Sequence, residues 1–399
     1  MGSSKGNSDI ISYMTESQKI RVAVIAGARS TEHEVSLVSA YNIAQAIDRN
    51  KYDVYVVGIG KDGIWRQYNP DNFVTSPASV GTAKLSDEPI SGRLAVTQCS
   101  REFYDIDNGG KPVFEADVVF PAVLGNYAED GTIQGLLRMM DVPFTTPDVL
   151  GSAVGMDKDV AYRLMRDAGI NVAKFRLIRK GSSLPSHDEL RHELEGGVMF
   201  IKPSNAGSSV GVTRVTNQAE LDTALEHAFH YDVKVIAQAA VVGREVEISV
   251  MGNIGSQRTS VVGEIVTLKE GDFYSYGNKY INSDQTSALI APAELSNETY
   301  EEISRVAVKV CETLECEGFS RVDFFIGDSG KVYVNEINTM PGFTSISMFP
   351  KLWGVSGVDY PTLVDTLLEY ARERHAYRIA PMVLDASDVL EIAKKMGAV

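Results

Sequence analysis

Arg321-Val322-Asp323-Phe324-Phe325-Ile326 and Val332-Tyr333-Val334-Asn335-Glu336-Ile337-Asn338 flank Gly327-Asp328-Ser329-Gly330. Two apolar, β-branched or aromatic runs around a short Gly-rich link read as a hairpin. The first strand carries Asp323 and the second Glu336. Glu336 and Asn338 lie two positions apart, so on a strand they share a face. Two carboxylates and a carboxamide are hard oxygen donors, the set Mg²⁺ takes alongside phosphate oxygens. Exposed strand charges are the plain alternative, but Asp323 is embedded in an apolar run, where an unpaired carboxylate is costly. The chain continues as Asn338-Thr339-Met340-Pro341-Gly342-Phe343-Thr344-Ser345-Ile346-Ser347-Met348. Gly342 lets the backbone come close, so its N–H can face a developing oxyanion. The Ser347 hydroxyl can hold a carboxylate. By itself this segment is an ordinary Pro-Gly turn.

Outward from the hairpin, the N-terminal part alternates strand and helix. Ile20–Ile25 is a strand running into Ala26-Gly27-Ala28, Val35–Ile47 a helix, Asp53–Ile59 and Val118–Leu124 further strands, and Thr132–Met140 a helix. That alternation predicts an α/β domain with a doubly wound parallel sheet. Residues 61–112 are polar and irregular and read as an insertion with weak strands. Asp157 caps a helix to Ala168, with Gly169 as its stop. From 172 onward strands dominate: 173–178, 198–201, 233–240, 245–251 and 260–268. Helices are expected at 218–229, 296–314 and 358–374, with a short one at 386–396. Residues 270–290 have no period and read as a long loop, a frequent carrier of function. The division that follows is 19–147, an α/β domain; 148–230 and 231–375, two α+β domains with a ligand between them; and a tail, 376–399.

Three more segments carry chemistry. Lys202-Pro203-Ser204-Asn205-Ala206-Gly207-Ser208-Ser209-Val210-Gly211 delivers a lysine from a strand into a loop of small residues. Small side chains let backbone N–H groups reach phosphate oxygens. The spacing is not that of the common P-loop, and an ordinary Gly/Ser turn is the alternative. Lys158 is a second phosphate clamp or a solvated helix lysine. In Glu32-His33-Glu34-Val35-Ser36-Leu37, Glu34 opens a helix at the C-terminal edge of a parallel strand, where open α/β sheets bind ligands. A glutamate in a first turn also simply favours the helix dipole. In Phe273-Tyr274-Ser275-Tyr276-Gly277-Asn278-Lys279-Tyr280, three tyrosines and a lysine either cover a carboxylate-bearing substrate or anchor a surface loop.

Composition sets the outer bounds. The 399 residues are 44% hydrophobic and 23% charged, with net charge −15. That mix describes a folded globular chain, not a disordered or collagen-like one. The negative charge disfavours nucleic acid and anionic membranes as partners, and no apolar run is long enough to cross a bilayer. Cys99, Cys311 and Cys316 show neither disulfide nor zinc spacing; they read as buried thiols in a reducing cytoplasm. The first residues are polar, without the apolar centre of a signal peptide.

Taken together, these segments resemble the D-alanine–D-alanine ligase family of the ATP-grasp superfamily over roughly residues 20–375. The resemblance rests on Glu32–Leu37, on Glu129-Asp130-Gly131-Thr132-Ile133-Gln134-Gly135, on Met156-Asp157-Lys158 and above all on Arg321–Leu352. It implies the ATP-grasp fold, with two α+β domains gripping ATP. It also implies a reaction in which ATP phosphorylates one D-alanine and the amine of a second attacks the acyl phosphate, for peptidoglycan precursor synthesis. By resemblance, Lys158 and Lys202 hold phosphates, with Ser209, Gln238 and Glu245 completing the ATP site and Glu245 on the ribose. Asp323, Glu336 and Asn338 ligate two Mg²⁺ ions, for which Mn²⁺ can substitute. Glu34 takes the first ammonium, and Arg321 with the Gly342 N–H stabilises the oxyanion. Ser347, Lys279 and Tyr280, beside Met348, hold the second substrate. Glu34, Ser208 and Tyr280 form a triad joining the closing loop to the site. A homodimer is implied as well.

Two positions depart from the family's pattern. Leu124 stands where the family usually has His, and Gln238 where an acid usually faces adenine. A tyrosine at 280 fits amide-forming relatives, and Met348 offers nothing to a serine hydroxyl, so D-alanine is the expected acceptor. The alternatives are a paralogue joining other amino acids and a non-catalytic ATP-binding relic.

Overall fold

The computed structural model describes residues 19–207, 210–267, 287–379 and 394. Three larger sheets, each with helices packed on it, and two small antiparallel ones are found among these residues.

The first sheet has the order β3-β2-β1-β9. Its strands β1 (Ile20–Gly27), β2 (Tyr52–Ile59) and β9 (Val118–Pro121) are parallel, while β3 (Trp65–Tyr68) adds an antiparallel edge. The insertion between β3 and β9 forms small antiparallel pieces: β4 (Val74–Thr75) with β5 (Lys84–Leu85), and β6 (Leu94–Val96), β7 (Glu102–Asp105) and β8 (Lys111–Glu115). Helix α1 (His33–Ala46) follows β1, and α2 (Thr132–Met140) follows β9. Ser36 fastens this turn: its Oγ accepts from Gly27 N at 2.8 Å and donates to Ala122 O at 2.7 Å. One side chain thus ties β1, α1 and the end of β9 at the edge where ligands bind.

The chain then enters α3 (Val149–Met156) and α4 (Lys158–Asp167). The carboxylate of Asp157 caps α4, accepting from Val160 N at 3.2 Å, as its position before the apolar period requires. The second sheet has the order β10-β13-β11-β12, formed by β10 (Phe175–Arg179), β11 (Met199–Pro203), β12 (Thr213–Val215) and β13 (Lys234–Ala239). Helices α5 (His187–Leu194) and α6 (Gln218–Ala228) bury Leu190, Leu194, Leu221, Ala224 and Leu225 against Met199, Ile201, Val235 and Ala237. The third sheet, β16-β15-β14-β17-β18, uses β14 (Gly243–Gly252), β15 (Arg258–Thr267), β16 (Ser287–Ile290), β17 (Gly318–Gly327) and β18 (Val332–Asn338). The hairpin read from the sequence is β17–β18, paired antiparallel with Asp323 opposite Glu336. Helices α7 (Asn297–Thr313), α8 (Met348–Val355) and α9 (Tyr360–Ile379) complete the described residues.

Hydrogen bonding across the sheets redraws the domain division. The cut at 230 falls before β13, which pairs with both β10 and β11, so the second sheet runs to Ala239. Helix α4 buries Ala161, Tyr162 and Met165 with Val246, Ile248, Val322 and Phe324 of the third sheet. Helix α9 packs Leu363, Val364 and Leu367 with Leu37, Ala40 and Ile43 of α1. Linear segments therefore cross between cores, a pairing that local sequence periodicity does not encode. Helices α3, α5 and α8 and strands β12 and β16 are absent from the sequence reading, being short elements of two or three turns or a few residues. Helix α9 runs five residues beyond Arg374, and Cys99 is exposed rather than buried. The helix expected at 386–396 lies outside the described residues.

Candidate active site

The cleft begins at the face shared by β14, β17 and β18. Register places Glu247 opposite Asp323 and Asp323 opposite Glu336, with Arg321 opposite Asn338. The Arg321 guanidinium donates from Nε and Nη2 to the two oxygens of Asp323, both at 2.7 Å. It also lies 2.9 Å from Glu247 Oε2. Burial works against this charge, but Asp323 and Glu247 outweigh it and hold the guanidinium protonated well beyond its ordinary range. Asn338 Nδ2 meets Asp323 Oδ2 at 3.1 Å.

One cavity is lined by Glu32, Leu124, Glu129, Gly207, Glu247, Arg321, Glu336, Asn338, Met340, Gly342, Ser347 and Met348. The turn carrying Gly342 is held by α1: Ser39 Oγ accepts from Phe343 N at 3.0 Å, and Asn42 Nδ2 donates to Phe343 O at 3.1 Å. The Phe343 ring stands edge-on to Phe120 and Phe319, each at 5.5 Å, which pins the turn against the cores of two sheets. A side chain at 342 would meet Ser347 Oγ at 3.0 Å, so glycine is what allows this close approach. Ser347 Oγ accepts from Thr344 N at 3.0 Å and lies at the start of α8, where the helix dipole favours a negative group.

A second cavity lies between the second and third sheets. Lys202, Phe200 and Gln238 line it from one sheet, Glu245, Phe325, Val334 and Glu336 from the other, and Lys158 from α4. Lys158 Nζ donates to Ala206 O at 2.8 Å and pairs with Glu336 Oε2 at 3.3 Å. Lys202 Nζ donates to Gln238 Oε1 at 2.8 Å. Burial pulls the Lys202 pKa down to about 8; Glu336 opposes that shift and Lys158 adds to it. Gln238 thus already gives its carboxamide oxygen to Lys202, and only the second lone pair of that oxygen is left for an adenine amino group. Glu336 lines both cavities, so a group held in one lies next to a group held in the other.

Of the residues expected from the sequence, Arg321, Glu336, Asn338, Gly342, Ser347 and Met348 line the first cavity, and Asp323, which lines neither cavity, is bound to two of them, Arg321 and Asn338. Lys158, Lys202, Gln238 and Glu245 come together at the second. Glu34 does not join them. It sits in the first turn of α1 with its carboxylate on Lys61 Nζ at 2.6 Å and does not line the first cavity. Glu32, the N-cap residue and 7% exposed, does. Two positions along a helix are about 200° apart around its axis, so only one of the two acids can face the cleft. His33, between them, fixes the turn through Nδ1 to Ala28 O at 2.8 Å. Ser208, Ser209, Lys279 and Tyr280 lie outside the described residues, and with them two members of the expected triad. The sequence reading also missed Glu129 and Glu247. Glu129, in the quoted Glu-Asp-Gly segment, is pushed well above the usual carboxylate range by burial and then by Glu32. Glu247 falls two residues after Glu245 on β14, and that same-face spacing was the available signal. Leu124, 5% exposed, closes the cavity beside Glu32 and Glu129.

The donor set suits a divalent cation held jointly with phosphate. Asp323, Glu336 and Asn338 are all oxygen-bearing; Asp323 stands opposite Glu336 and is bonded to Asn338, and Glu336 lines both cavities. Among the described residues no three His, Cys, Asp or Glu side chains cluster to hold a metal. A cation here would draw its remaining ligands from a nucleotide, as Mg²⁺ commonly does.

Two antiparallel sheets closing on a lysine-lined cavity, with an acid-rich hairpin at its mouth, define an ATP-grasp fold. Residues 21–147 match the family described as D-ala D-ala ligase N-terminus, and residues 164–369 that described as D-ala D-ala ligase C-terminus. Over 358 residues the chain is 44% identical to the D-alanine--D-alanine ligase of Proteus mirabilis (strain HI4320), covering 90% of this chain and 96% of that one. The structure of the D-alanine-D-alanine ligase from Coxiella burnetii superposes with a TM-score of 0.77 at 32% identity, covering 91% of this chain and 98% of that one. The VanG D-Ala:D-Ser ligase from Enterococcus faecalis gives a TM-score of 0.77 at 34% identity, over 89% and 100% of the two chains. This chain belongs to the D-alanine–D-alanine ligase family.

Proposed function

We propose that the chain is an ATP-dependent ligase joining two D-alanine molecules, in the cytoplasm, for peptidoglycan precursors. The observation that carries the reading is Glu336, shared by the lysine-lined cavity and the cavity holding Arg321, Gly342 and Ser347. Phosphate held by Lys158 and Lys202 lies next to a carboxylate held at the other side.

The reaction runs in two transfers. A carboxylate oxygen of the first D-alanine attacks the γ-phosphorus, and the bond to the β–γ bridging oxygen breaks, releasing ADP. The amine of the second D-alanine then attacks the acyl carbon. The tetrahedral intermediate expels phosphate, and the amine loses its proton. Glu32 holds the ammonium of the first substrate, and Arg321 with the Gly342 N–H stabilises the oxyanion, where donors in a dry site act most strongly. Ser347, at the start of α8, holds the carboxylate of the second. Two Mg²⁺ ions held by Asp323, Glu336 and Asn338 would neutralise the transferring phosphoryl group. Helices α2 and α3 leave Met139 60% and Leu150 59% exposed, apolar surface of the kind that a second copy covers in a homodimer.

The apolar side chains of Met348 and Ile346 at the acceptor side favour D-alanine over D-serine. Phosphate release with ATP, Mg²⁺ and a panel of D- and L-amino acids and D-lactate tests this. Turnover with D-alanine alone is the expected result. Turnover only with another pair assigns the chain to a different ligation, and no turnover with any of them refutes the ligase reading.

A further inference from the structure

Glu247, like Glu129, lines the cleft and has no role in the reaction described above. It is 2% exposed, lines the first cavity and sits on β14 directly opposite Asp323. A carboxylate so far from water is tolerated only with a charged partner. The Arg321 Nε, 2.9 Å from its Oε2, is that partner.

Arg321 is therefore held by two carboxylates, which converge on its Nε. Asp323 chelates it through both oxygens at 2.7 Å, yet the same two oxygens are the ones that must face a cation. The two demands compete. If Asp323 alone held the guanidinium, a cation taken up with the nucleotide would leave the arginine without its anchor before the acyl phosphate formed. Glu247 removes the conflict, because it reaches the Arg321 Nε from the neighbouring strand and is outside the Asp323, Glu336 and Asn338 set.

We propose that Glu247 is the positioning residue for Arg321, holding the guanidinium in place while Asp323 exchanges it for the metal. The assignment rests on the ligase reading for the role of Arg321, but its test does not need the amino-acid substrates. Mn²⁺ binding is measured by electron paramagnetic resonance in the presence of a non-hydrolysable ATP analogue, for the unsubstituted protein, Glu247→Gln, Arg321→Gln and the double variant. Without Glu247, Asp323 stays committed to Arg321, and Mn²⁺ affinity falls about tenfold, as expected for strongly coupled neighbours. In the Arg321→Gln background the Glu247→Gln change then has less than about a twofold effect, because the coupling acts through the arginine. An equal loss in both backgrounds would show that Glu247 acts on the metal by its own charge and would overturn the proposal. So would an unchanged affinity in Glu247→Gln. Steady-state rates add a second reading: kcat falls while the KM for ATP holds, and Glu247→Asp recovers part of the loss. A rise in the KM for ATP with kcat intact counts against it. Where a glutamine variant does not fold, Glu247→Asp and Arg321→Lys enter the same cycle.

Discussion

Glu32 and Glu34 are two residues apart, and the fold gives them different tasks. Replacing each by glutamine separates them. Glu32 is buried at the cleft beside Glu129, so the contact proposed for it with a substrate ammonium would be charge-assisted and made away from water. Such a contact is worth about 1.5–3 kcal/mol, which is roughly a 10- to 150-fold loss of kcat/KM for the first D-alanine. Glu34 meets Lys61 at the surface, the lysine side chain being 67% exposed. An exposed pair of that kind contributes about 0.2–1 kcal/mol to stability and nothing to the reacting groups. Folding does not confuse the comparison. Burial and then Glu32 hold the Glu129 carboxyl above its ordinary range, and the thermal melt of each variant separates a change in stability from a loss of binding. The assay is phosphate release over a range of D-alanine concentrations, fitted for the two substrate sites, with a thermal melt of each variant. A loss in Glu34→Gln equal to that in Glu32→Gln refutes the argument, as does full activity in Glu32→Gln.

Three further outcomes follow from the same geometry. Lys202 is held down to about pKa 8 by burial, so it is charged below that pH and neutral above it; the KM for ATP should rise as pH passes about 8, and a flat profile counts against its phosphate role. Without nucleotide the sign for stability is opposite, since between about 8 and the ordinary lysine pKa the unfolded chain binds the extra proton and stability grows with pH. Leu124→Ala removes a side chain that is 5% exposed, costing about 2–5 kcal/mol in chemical denaturation and admitting larger D-amino acids at the first subsite; an unaltered substrate panel would separate Leu124 from specificity. Gly318 has φ +82°, and a Cβ there would lie 2.1 Å from Thr145 O. Gly318→Ala therefore destabilises by at least about 2 kcal/mol, and a denaturation midpoint equal to that of the unsubstituted protein would contradict the contact.

The local elements were largely legible. Apolar period and punctuation located β1, α1, β2, α2, α4 and the β17–β18 hairpin within a few residues, because each is long enough to show its own repeat or is bounded by Gly, Pro or a capping acid. Asp323, Glu336, Asn338 and Lys202 stood out as candidates for a local reason, polar ligand-type side chains on or at the end of apolar strands, whereas Lys158 on its helix was a candidate among solvated lysines and Arg321 was singled out only by the family resemblance. Short elements such as α3, β12 and β16 were not legible, since two turns of helix or three residues of strand leave no period to count.

What the sequence by itself determined is the set of strands and helices and the kinds of atoms available for phosphate, cation and carboxylate. What only the tertiary structure decided is which of those atoms meet. β13 belongs to the second sheet, Glu32 rather than Glu34 turns to the cleft, and Glu247 joins Asp323 around Arg321, all through pairings across sheets and turns. Period along a chain reports which face a residue takes; it carries no record of the partner strand, and the direction of a side chain at a helix start depends on a turn whose geometry is set by the rest of the fold.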